Sequence, residues 1–351
     1  MTARSQKVST SIRGAFRSRK RLIAMAVVIV VLLGWGVYKV SSTRHLGSAM
    51  VADDSCRAEP ATVAQMSNLI PGAESIHCES WDIGTGVTGY SWQAPNPRGV
   101  VLFQHGWGDY AQRWVRQADQ LIPHLLAEGF SVYAFDMWGN GRSPGQRGLV
   151  DVEQAVTDHL AARQKLRSQP LPVFLMGHSL GGLVTATSTA RDQDGLAGVV
   201  LLAPAVKYDI NTATRALVRV GAFVIPTLPA PLGEPKAVSG DATFLQKFSE
   251  DPLATTEGVS WLTAAGGATV SRANMRLYPS VGVPVLAVHG SADGSTDPSG
   301  SSDLVDALAS TDKTFVSIEG GRHALLDDTS ADETLGLVLD WLRTRVAARG
   351  E

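Results

Sequence analysis

The chain has 351 residues, 44% of them hydrophobic and 18% charged, which is the composition of an ordinary globular protein with one large core. Its formal net charge is −2, but the first 40 residues carry eight cations and no carboxylate, which leaves 23 cations against 33 acids in the remainder. A body with this acidic excess, and with its cations scattered among acids, has no electrostatic surface for wrapping nucleic acid. A nucleic-acid partner is therefore not expected.

An uncharged apolar stretch of seventeen residues, Leu22 to Tyr38, follows the basic N-terminal segment. At 1.5 Å per residue this stretch is just long enough, as a helix, to cross a thin hydrocarbon core. Seven cations precede it and two, Lys39 and Arg44, follow closely, so the positive-inside rule predicts a cytoplasmic N-terminus. We therefore predict a basic cytoplasmic tail at residues 1–21, a single-pass anchor in the cell membrane at residues 22–40, and an extracytoplasmic body.

Two alternatives to a membrane anchor stay open. Gly47-Ser48-Ala49 resembles the small-residue cleavage site of a signal peptide, and cleavage there would yield a secreted protein. The apolar stretch exceeds the roughly 7–15 residues usual in a signal peptide, which favours the anchor. A buried core helix is disfavoured because the stretch has no amphipathic face.

The only two cysteines, Cys56 and Cys78, follow the predicted anchor within a linker and extension that we place at residues 41–79. Outside the cytoplasm such a pair is expected to form one disulfide, and the alternative is two unpaired structural thiols. Neither cysteine belongs to a Cys-x-x-Cys motif. The sequence therefore predicts neither a zinc site nor thioredoxin-like chemistry.

From about residue 80 onward, apolar strand-like runs alternate with helical patterns. This alternation predicts an α/β domain at residues 80–348, with a doubly wound, mostly parallel sheet. A long proline-containing segment breaks the alternation, and we interpret it as a helical cap at about residues 206–279. The predicted strands are Gly99–Phe103, Ser131–Phe135, Val173–Met176, Gly198–Leu202, Val285–Val288 and Thr314–Ile318; the predicted helices are approximately Gln112–Glu128, Val152–Ser168, Leu180–Arg191, Ser302–Ser310 and Glu333–Ala348.

The clearest chemical motif is Gly177-His178-Ser179-Leu180-Gly181, where a predicted strand turns directly into a predicted helix. A serine at such a turn adopts strained backbone angles that expose its hydroxyl, and the flanking glycines remove side chains that would collide with the neighbouring elements. The pentapeptide alone is a weak signal, but its strand-turn-helix setting is a strong one. Ser179 is therefore predicted to be a catalytic nucleophile.

A second glycine-rich turn, His105-Gly106-Trp107-Gly108, follows an early predicted strand. A nucleophilic serine requires N–H groups that stabilise the oxyanion, and a loop at this position is expected beside the serine. We predict the backbone amides of Trp107 and Leu180 as the two donors. The alternative is a plain tight loop.

The general base and its acid are expected after later strands, in the chain order serine, acid, histidine. Asp293 follows the predicted strand VPVLAVHG, and His323 follows KTFVSIEG. Asp297 competes as the acid, but an acid at the end of a strand is held more rigidly than one in a Gly/Ser/Pro-rich loop. The other seven histidines fit the position of a base poorly; His289, for example, lies within a strand.

Several segments together resemble the monoacylglycerol lipase and lysophospholipase family of α/β-hydrolases, over about residues 80–346. The segments are LFQHGWGDY, AFDMWGNGRSPGQRG, GHSLGG, SEDPLATTEGVSWL, PVLAVHGSAD and GGRHALL. The resemblance implies the α/β-hydrolase fold with a cap, and a triad of Ser179, Asp293 and His323. It implies hydrolysis of carboxylic esters of single-chain lipids, such as monoacylglycerols or lysophospholipids, through an acyl-enzyme and without a metal or organic cofactor.

The chain departs from the family pattern in its N-terminal anchor, its cysteine pair and the side chain of Trp107. A small-ester hydrolase, or an aminopeptidase or amidase of the same fold, therefore stays open as an alternative. A catalytically inactive, membrane-tethered binding protein is disfavoured because all three triad positions are occupied. The sequence leaves the oligomeric state open.

The predicted cap contains a run of apolar residues. This run fits either the lining of an acyl channel, a surface that contacts a membrane, or the core of the cap itself. Its members are Leu217, Val218, Val220, Phe223, Val224, Ile225 and Leu228. Trp107, Trp138 and Trp261 are expected to belong to the core rather than to a substrate wall.

Overall fold

One sheet of eight strands lies at the centre of the part of the chain that the computed structural model describes, residues 78–230 and 238–347. The strands are β1 (Cys78–Ser80), β2 (Gly89–Trp92), β3 (Gly99–Gln104), β4 (Phe130–Phe135), β5 (Val173–His178), β6 (Leu196–Leu202), β7 (Val285–Gly290) and β8 (Lys313–Ile318). Their order across the sheet is β1-β2-β4-β3-β5-β6-β7-β8. Strands β3 to β8 pair in parallel, and β1 and β2 pair antiparallel at one edge.

Helices cover both faces of this sheet. They are α1 (Arg113–Arg116), α2 (Leu121–Ala127), α3 (Val152–Leu166), α4 (Leu180–Arg191), α5 (Thr212–Val224), α6 (Ala242–Glu250), α7 (Trp261–Asn274), α8 (Pro298–Ala307) and α9 (Ala331–Ala347). Helices α1, α2 and α9 pack on one face, whereas α3, α4 and α8 pack on the other. Helices α5, α6 and α7 form the insertion between β6 and β7. The predicted doubly wound fold with a helical insertion is therefore confirmed.

Successive side chains of a strand point to opposite faces of the sheet, and helices cover both faces. In β3, Val101 and Phe103 face α2 and α9, whereas Val100 and Leu102 face α3 and α4. A parallel strand covered by helices on both sides has no solvent-facing position, so its sequence is a continuous apolar run. Strands β3 to β7 are buried in this way, whereas the edge strand β8 is only partly buried. All six predicted strands are confirmed, with small differences at their ends.

The two antiparallel strands were not predicted. Strand β1 has three residues, CES, and β2 has four, GYSW, and each includes polar residues. Neither strand is long enough to show a periodic pattern of its own. Both owe their conformation to pairing, β1 with β2 and β2 with β4.

The prediction of one continuous helix from Gln112 to Glu128 is wrong. Residues 118–120 have positive φ angles of 53°, 48° and 52°, so the chain forms α1, a 3₁₀ turn and α2 in succession. The backbone N–H of Ala118 donates to the carboxylate of Asp327 at 2.8 Å instead of to the preceding helical turn. A contact with a residue so distant in sequence leaves no local signal.

The predicted helix Ser302–Ser310 begins earlier than expected, at Pro298. Asp297 occupies the N-cap position, where its side chain accepts a hydrogen bond from the Ser299 N–H at 2.9 Å. Proline is favoured in the first turn of a helix because its missing N–H would have no partner there. The Gly/Ser/Pro-rich segment is thus the start of α8 rather than a loop.

The predicted tail, the predicted anchor, most of the predicted linker and Cys56 lie outside the described residues. Cys78, the first described residue, is disulfide-bonded; its pairing with Cys56 stays a prediction. Over residues 78–230 and 238–347, no helix is both long enough and apolar enough to cross a membrane.

Candidate active site

Ser179 lies at the turn between β5 and α4 and has φ 55° and ψ −121°. A residue other than glycine rarely has a positive φ, and such strain persists only where the surrounding structure enforces it. Here the Ser179 N–H donates to the carbonyl of Leu202 at 2.9 Å, and its own carbonyl accepts from the Ala205 N–H at 2.9 Å. Two backbone bonds to the end of the neighbouring strand therefore hold the serine in this conformation.

The two flanking glycines are required by close contacts. A Cβ atom on Gly177 would lie 2.4 Å from Thr185 Oγ1, in the first turns of α4. A Cβ atom on Gly181 would lie 2.2 Å from the carbonyl oxygen of His105 and 2.3 Å from that of Gln104. The helix can start directly behind the strand, and directly beside β3, only because both side chains are absent.

His323 connects Ser179 to Asp293. Its Nε2 lies 2.8 Å from Ser179 Oγ, and its Nδ1 lies 2.8 Å from Asp293 Oδ2. Because an ionised carboxylate only accepts hydrogen bonds, Nδ1 carries the hydrogen and Nε2 is left to accept the serine proton. The structure thus brings together the three side chains that the sequence analysis selected, from the ends of β5, β7 and β8.

The side chain of Asp293 is fully buried. Burial alone would raise the pKa of its carboxyl group, but hydrogen bonds from His289 and His323, together with the backbone N–H of Thr296, hold that pKa well below its usual range. Asp293 is therefore ionised at neutral pH. A permanent negative charge at this position stabilises a positive charge on His323.

Asp297, the competing acid, is exposed and caps α8, as described above. Its carboxylate also accepts a bond from the Ser299 hydroxyl at 2.7 Å. Both interactions belong to the start of the helix. Asp293 therefore contacts His323, whereas Asp297 caps α8.

The glycine-rich loop after β3 is oriented by the ring of His105. The Met137 N–H donates to His105 Nε2 at 3.1 Å, so the hydrogen of the ring lies on Nδ1, which donates to the carbonyl of Gly106 at 2.7 Å. In a trans peptide the carbonyl and the following N–H point in opposite directions. The N–H of Trp107 is therefore turned away from the His105 ring.

This loop lies directly against the serine turn. A Cβ atom on Gly106 would lie 3.0 Å from the Cβ of Ser179. Leu180, the other predicted donor, is the first residue of α4, and the first N–H groups of a helix have no acceptor within that helix. Trp107 and Leu180 thus belong to the two segments that meet at Ser179.

The tryptophan side chains behave as expected for packing residues. Trp107 is half-buried, and its Nε1 donates to the carbonyl of Gly148 at 2.8 Å. Trp138 packs against the core beneath α3 and α4. Trp261 is buried in a separate small core within the insertion, together with Val218.

Two histidines that the sequence analysis set aside lie at the site. His289 Nε2 is 3.0 Å from Asp293 Oδ2, and His178 Nε2 donates to the backbone carbonyl of His323 at 3.1 Å. Burial lowers the pKa of His178 to about 3, so its ring is neutral and supports the His323 backbone as a hydrogen-bond donor. His178 lies within the serine motif, but nothing in the periodicity of β7 marks His289.

A buried arginine joins the loops that surround the site. Arg113 donates through Nε and Nη2 to both carboxylate oxygens of Asp109, at 2.7 and 2.9 Å, and through Nη1 to Asp327 at 2.8 Å. Asp109 follows the glycine-rich loop, and Asp327 follows the loop that carries His323. A charge-assisted, bidentate arrangement of this kind fixes the two loops relative to each other.

The insertion contacts the same glycine-rich loop. The N–H of Thr255 donates to the carbonyl of Gly108 at 2.9 Å, and the hydroxyl of Tyr110 donates to the carboxylate of Asp251 at 2.6 Å. The segment between α6 and α7 is therefore attached beside the loop. Within the described residues, no group of three or more His, Cys, Asp or Glu side chains is arranged to hold a metal ion.

A serine at a strained strand-helix turn, followed in the chain by an acid and a histidine on a mostly parallel sheet, defines the class of α/β-hydrolases. A family model described as serine aminopeptidase, S33, matches residues 95–330, which is more than half of the chain. The chain belongs to the monoglyceride lipase-like family of α/β-hydrolases. It is a carboxylic ester hydrolase.

Three similar proteins illustrate the relationship. Human monoglyceride lipase is 32% identical over 243 residues, which cover 65% of this chain and 76% of that protein. The monoacylglycerol lipase of Mycolicibacterium smegmatis is 29% identical over 252 residues, 70% of this chain and 89% of that protein. The crystal structure of Paleococcus ferrophilus monoacylglycerol lipase has a TM-score of 0.65 and 30% identity, and the match covers 73% of this chain and 99% of that chain.

The contacts of Gly181 predict that Gly181→Ala is strongly damaging. The added methyl group overlaps two backbone carbonyls at the end of β3, so the serine turn must move away from the glycine-rich loop. A displacement of about 1 Å at a reaction centre is expected to lower kcat about a hundredfold. The measurement is hydrolysis of p-nitrophenyl butyrate, together with thermal unfolding.

Gly336→Ala in α9 is the matched control, because a Cβ atom there meets no heavy atom within 4 Å. This variant should keep full activity and gain about 0.5–1 kcal/mol in the free energy of unfolding. Equal activities of the two variants would show that the contact at Gly181 does not position the site.

Proposed function

We propose that the chain is a serine hydrolase of single-chain lipid esters in which Ser179 is the nucleophile, His323 the general base and Asp293 the acid that orients the base. The observation that supports this best is the unbroken series of hydrogen bonds from Asp293 through His323 to Ser179, each 2.8 Å long. A serine hydroxyl is activated when it lies within hydrogen-bond reach of a base that is in turn oriented by an acid.

In the proposed first step, His323 Nε2 takes the proton of Ser179 as Oγ attacks the ester carbonyl. The amides of Trp107 and Leu180 stabilise the resulting oxyanion. His323 then gives the proton to the oxygen of the leaving alcohol, the ester C–O bond breaks, and the acyl group stays on Ser179. Water, deprotonated by His323, then attacks the acyl-enzyme. The bond between the acyl carbon and Ser179 Oγ breaks, His323 returns the proton to Oγ, and the fatty acid leaves, while Asp293 stays ionised throughout.

The names of the similar proteins and the surface of the insertion support a lipid substrate. Within the apolar run of the insertion, Val218 packs against Trp261, whereas Leu217, Val220 and Leu228 are 58%, 59% and 52% exposed. The other three members of the run are half-buried. Exposed apolar side chains on α5 and just after it are suited to contact with an acyl chain or a lipid surface. A single acyl tail is the simplest substrate that fits such a surface.

We further propose that a membrane anchor at residues 22–40 holds the hydrolase domain outside the cytoplasm. The basis is the sequence alone, since this segment lies outside the described residues. The alternative, a secreted domain, would show a mature N-terminus near Met50 when the purified protein is sequenced. An anchored protein would retain its basic first residues.

The two acids near the end of β7 give a direct test of the proposed triad. Asp293→Asn is expected to lower kcat by roughly four orders of magnitude, because the amide no longer favours the protonated, correctly oriented His323. Asp297→Asn should leave kcat within about twofold, because asparagine is also a good N-cap residue. The measurement is the initial rate of hydrolysis of a p-nitrophenyl ester by each variant. A larger loss of kcat in Asp297→Asn than in Asp293→Asn would show that Asp297 is the acid.

Substrate chain length tests the lipid specificity. We expect kcat/KM for p-nitrophenyl esters to rise from C2 toward medium chains, by up to about fourfold for each added CH₂, which corresponds to about 0.8 kcal/mol. Monoacylglycerols and lysophospholipids should be cleaved faster than triacylglycerols. All esters are measured below their micellar limits.

Aminoacyl p-nitroanilides belong in the same series, because the matching family model is described as an aminopeptidase. Cleavage of these amides in preference to the esters would favour a peptidase. A profile that is flat, or highest at C2, would favour a small-ester hydrolase.

A further inference from the structure

A second imidazole contacts the acid of the proposed triad. His289, fully buried near the end of β7, places Nε2 at 3.0 Å from Asp293 Oδ2. Its other ring nitrogen, Nδ1, lies 2.7 Å from Ser301 Oγ in α8. The ring therefore bridges the acid-bearing turn and the helix that follows it.

The partners of His289 fix the position of its hydrogen. An ionised carboxylate only accepts, so the hydrogen of the ring lies on Nε2, and a neutral ring then accepts the Ser301 hydroxyl at Nδ1. The other tautomer would direct the Nε2 lone pair at a negative charge. His289 is therefore a hydrogen-bond donor to Asp293.

The N–H groups of His289 and His323 donate to the same oxygen of Asp293. Asp293 Oδ1 accepts the N–H groups of Ser295 and Thr296 at 2.7 and 3.0 Å, which anchors it to its own turn. Oδ2 lies 2.8 Å from His323 Nδ1, 3.0 Å from His289 Nε2 and 2.7 Å from the Thr296 hydroxyl. Two imidazole N–H groups thus donate to the lone pairs of a single carboxylate oxygen, Oδ2.

We propose that His289 is a positioning residue for this reaction, which holds Asp293 Oδ2 toward His323 and moderates the negative charge that His323 experiences. The inference rests on the proposed function, in which His323 is the base. It gives β7 a role in setting the basicity of the site, in addition to carrying the acid.

The direction of the effect follows from the charges around His289. Asp293 is in contact with it, His323 lies across the same carboxylate, and Asp297 acts on it from the start of α8. Beyond His323 lies the ring of His178, whose centroid is 5.0 Å from that of His323. Without the His289 donor, more negative charge on Oδ2 would stabilise protonated His323, so the base would become available only at higher pH.

The test compares side chains of similar shape with and without a donor. His289→Met and His289→Gln have the same length, but only glutamine offers an N–H group; His289→Phe is a second donor-free variant that keeps the volume of the ring. The full chain is purified in detergent. The measurements are the pH dependence of kcat/KM for p-nitrophenyl butyrate and of the rate of Ser179 labelling by a fluorophosphonate.

In the methionine and phenylalanine variants we expect kcat/KM at pH 7 to fall about tenfold or more. The acid limb of the pH profile should move to higher pH by about half a pH unit or more, both for kcat/KM and for the rate of Ser179 labelling. Glutamine should return the limb close to its wild-type position. Thermal unfolding shows which variants are folded, and either donor-free variant suffices for the comparison with glutamine.

A uniform loss of activity without a shift of the limb would mean that His289 only fills space, and would overturn the proposal. A glutamine variant that behaves like the donor-free variants would also overturn it. Failure of the proposed function itself is separate: it would appear as absence of fluorophosphonate labelling at Ser179 in the wild-type chain.

Discussion

The tight backbone turn at Ser179 is the constraint on which the rest of the site depends. A positive φ at this residue brings α4 back so closely behind β5 that no side chain fits at Gly177 or Gly181. The same turn brings the serine against Gly106 of the neighbouring loop. Because α4 starts at Leu180, the turn also places the first N–H groups of that helix, which have no acceptor within it, next to the proposed nucleophile, where a developing oxyanion would require them.

A buried negative charge is the second requirement of this arrangement. Among the described residues, no Lys or Arg side chain pairs with Asp293; its charge is balanced by N–H and O–H donors from its own turn, from β7 and from the proposed base. Burial of a carboxylate is tolerated only when it is hydrogen-bonded in this way. The same donors that stabilise the charge also determine how strongly it acts on His323.

Local chemistry made much of this structure predictable from the sequence. The central parallel strands are largely apolar because helices cover both faces, and the serine turn is marked by the glycines that its geometry requires. Strands β1 and β2, the break at residues 118–120 and the contact of His289 with Asp293 were not predictable. Each depends on a partner that the chain brings close only after folding, as the bond from Ala118 to Asp327 illustrates.

The most direct test of the account is to locate the reactive serine. After treatment of the protein with a fluorophosphonate, mass spectrometry of its peptides should show a single adduct, on Ser179. Ser179→Ala should abolish the adduct and lower ester hydrolysis by several orders of magnitude while the fold is retained. An adduct on another residue, or a Ser179→Ala protein that keeps most of its esterase activity, would contradict the central claim.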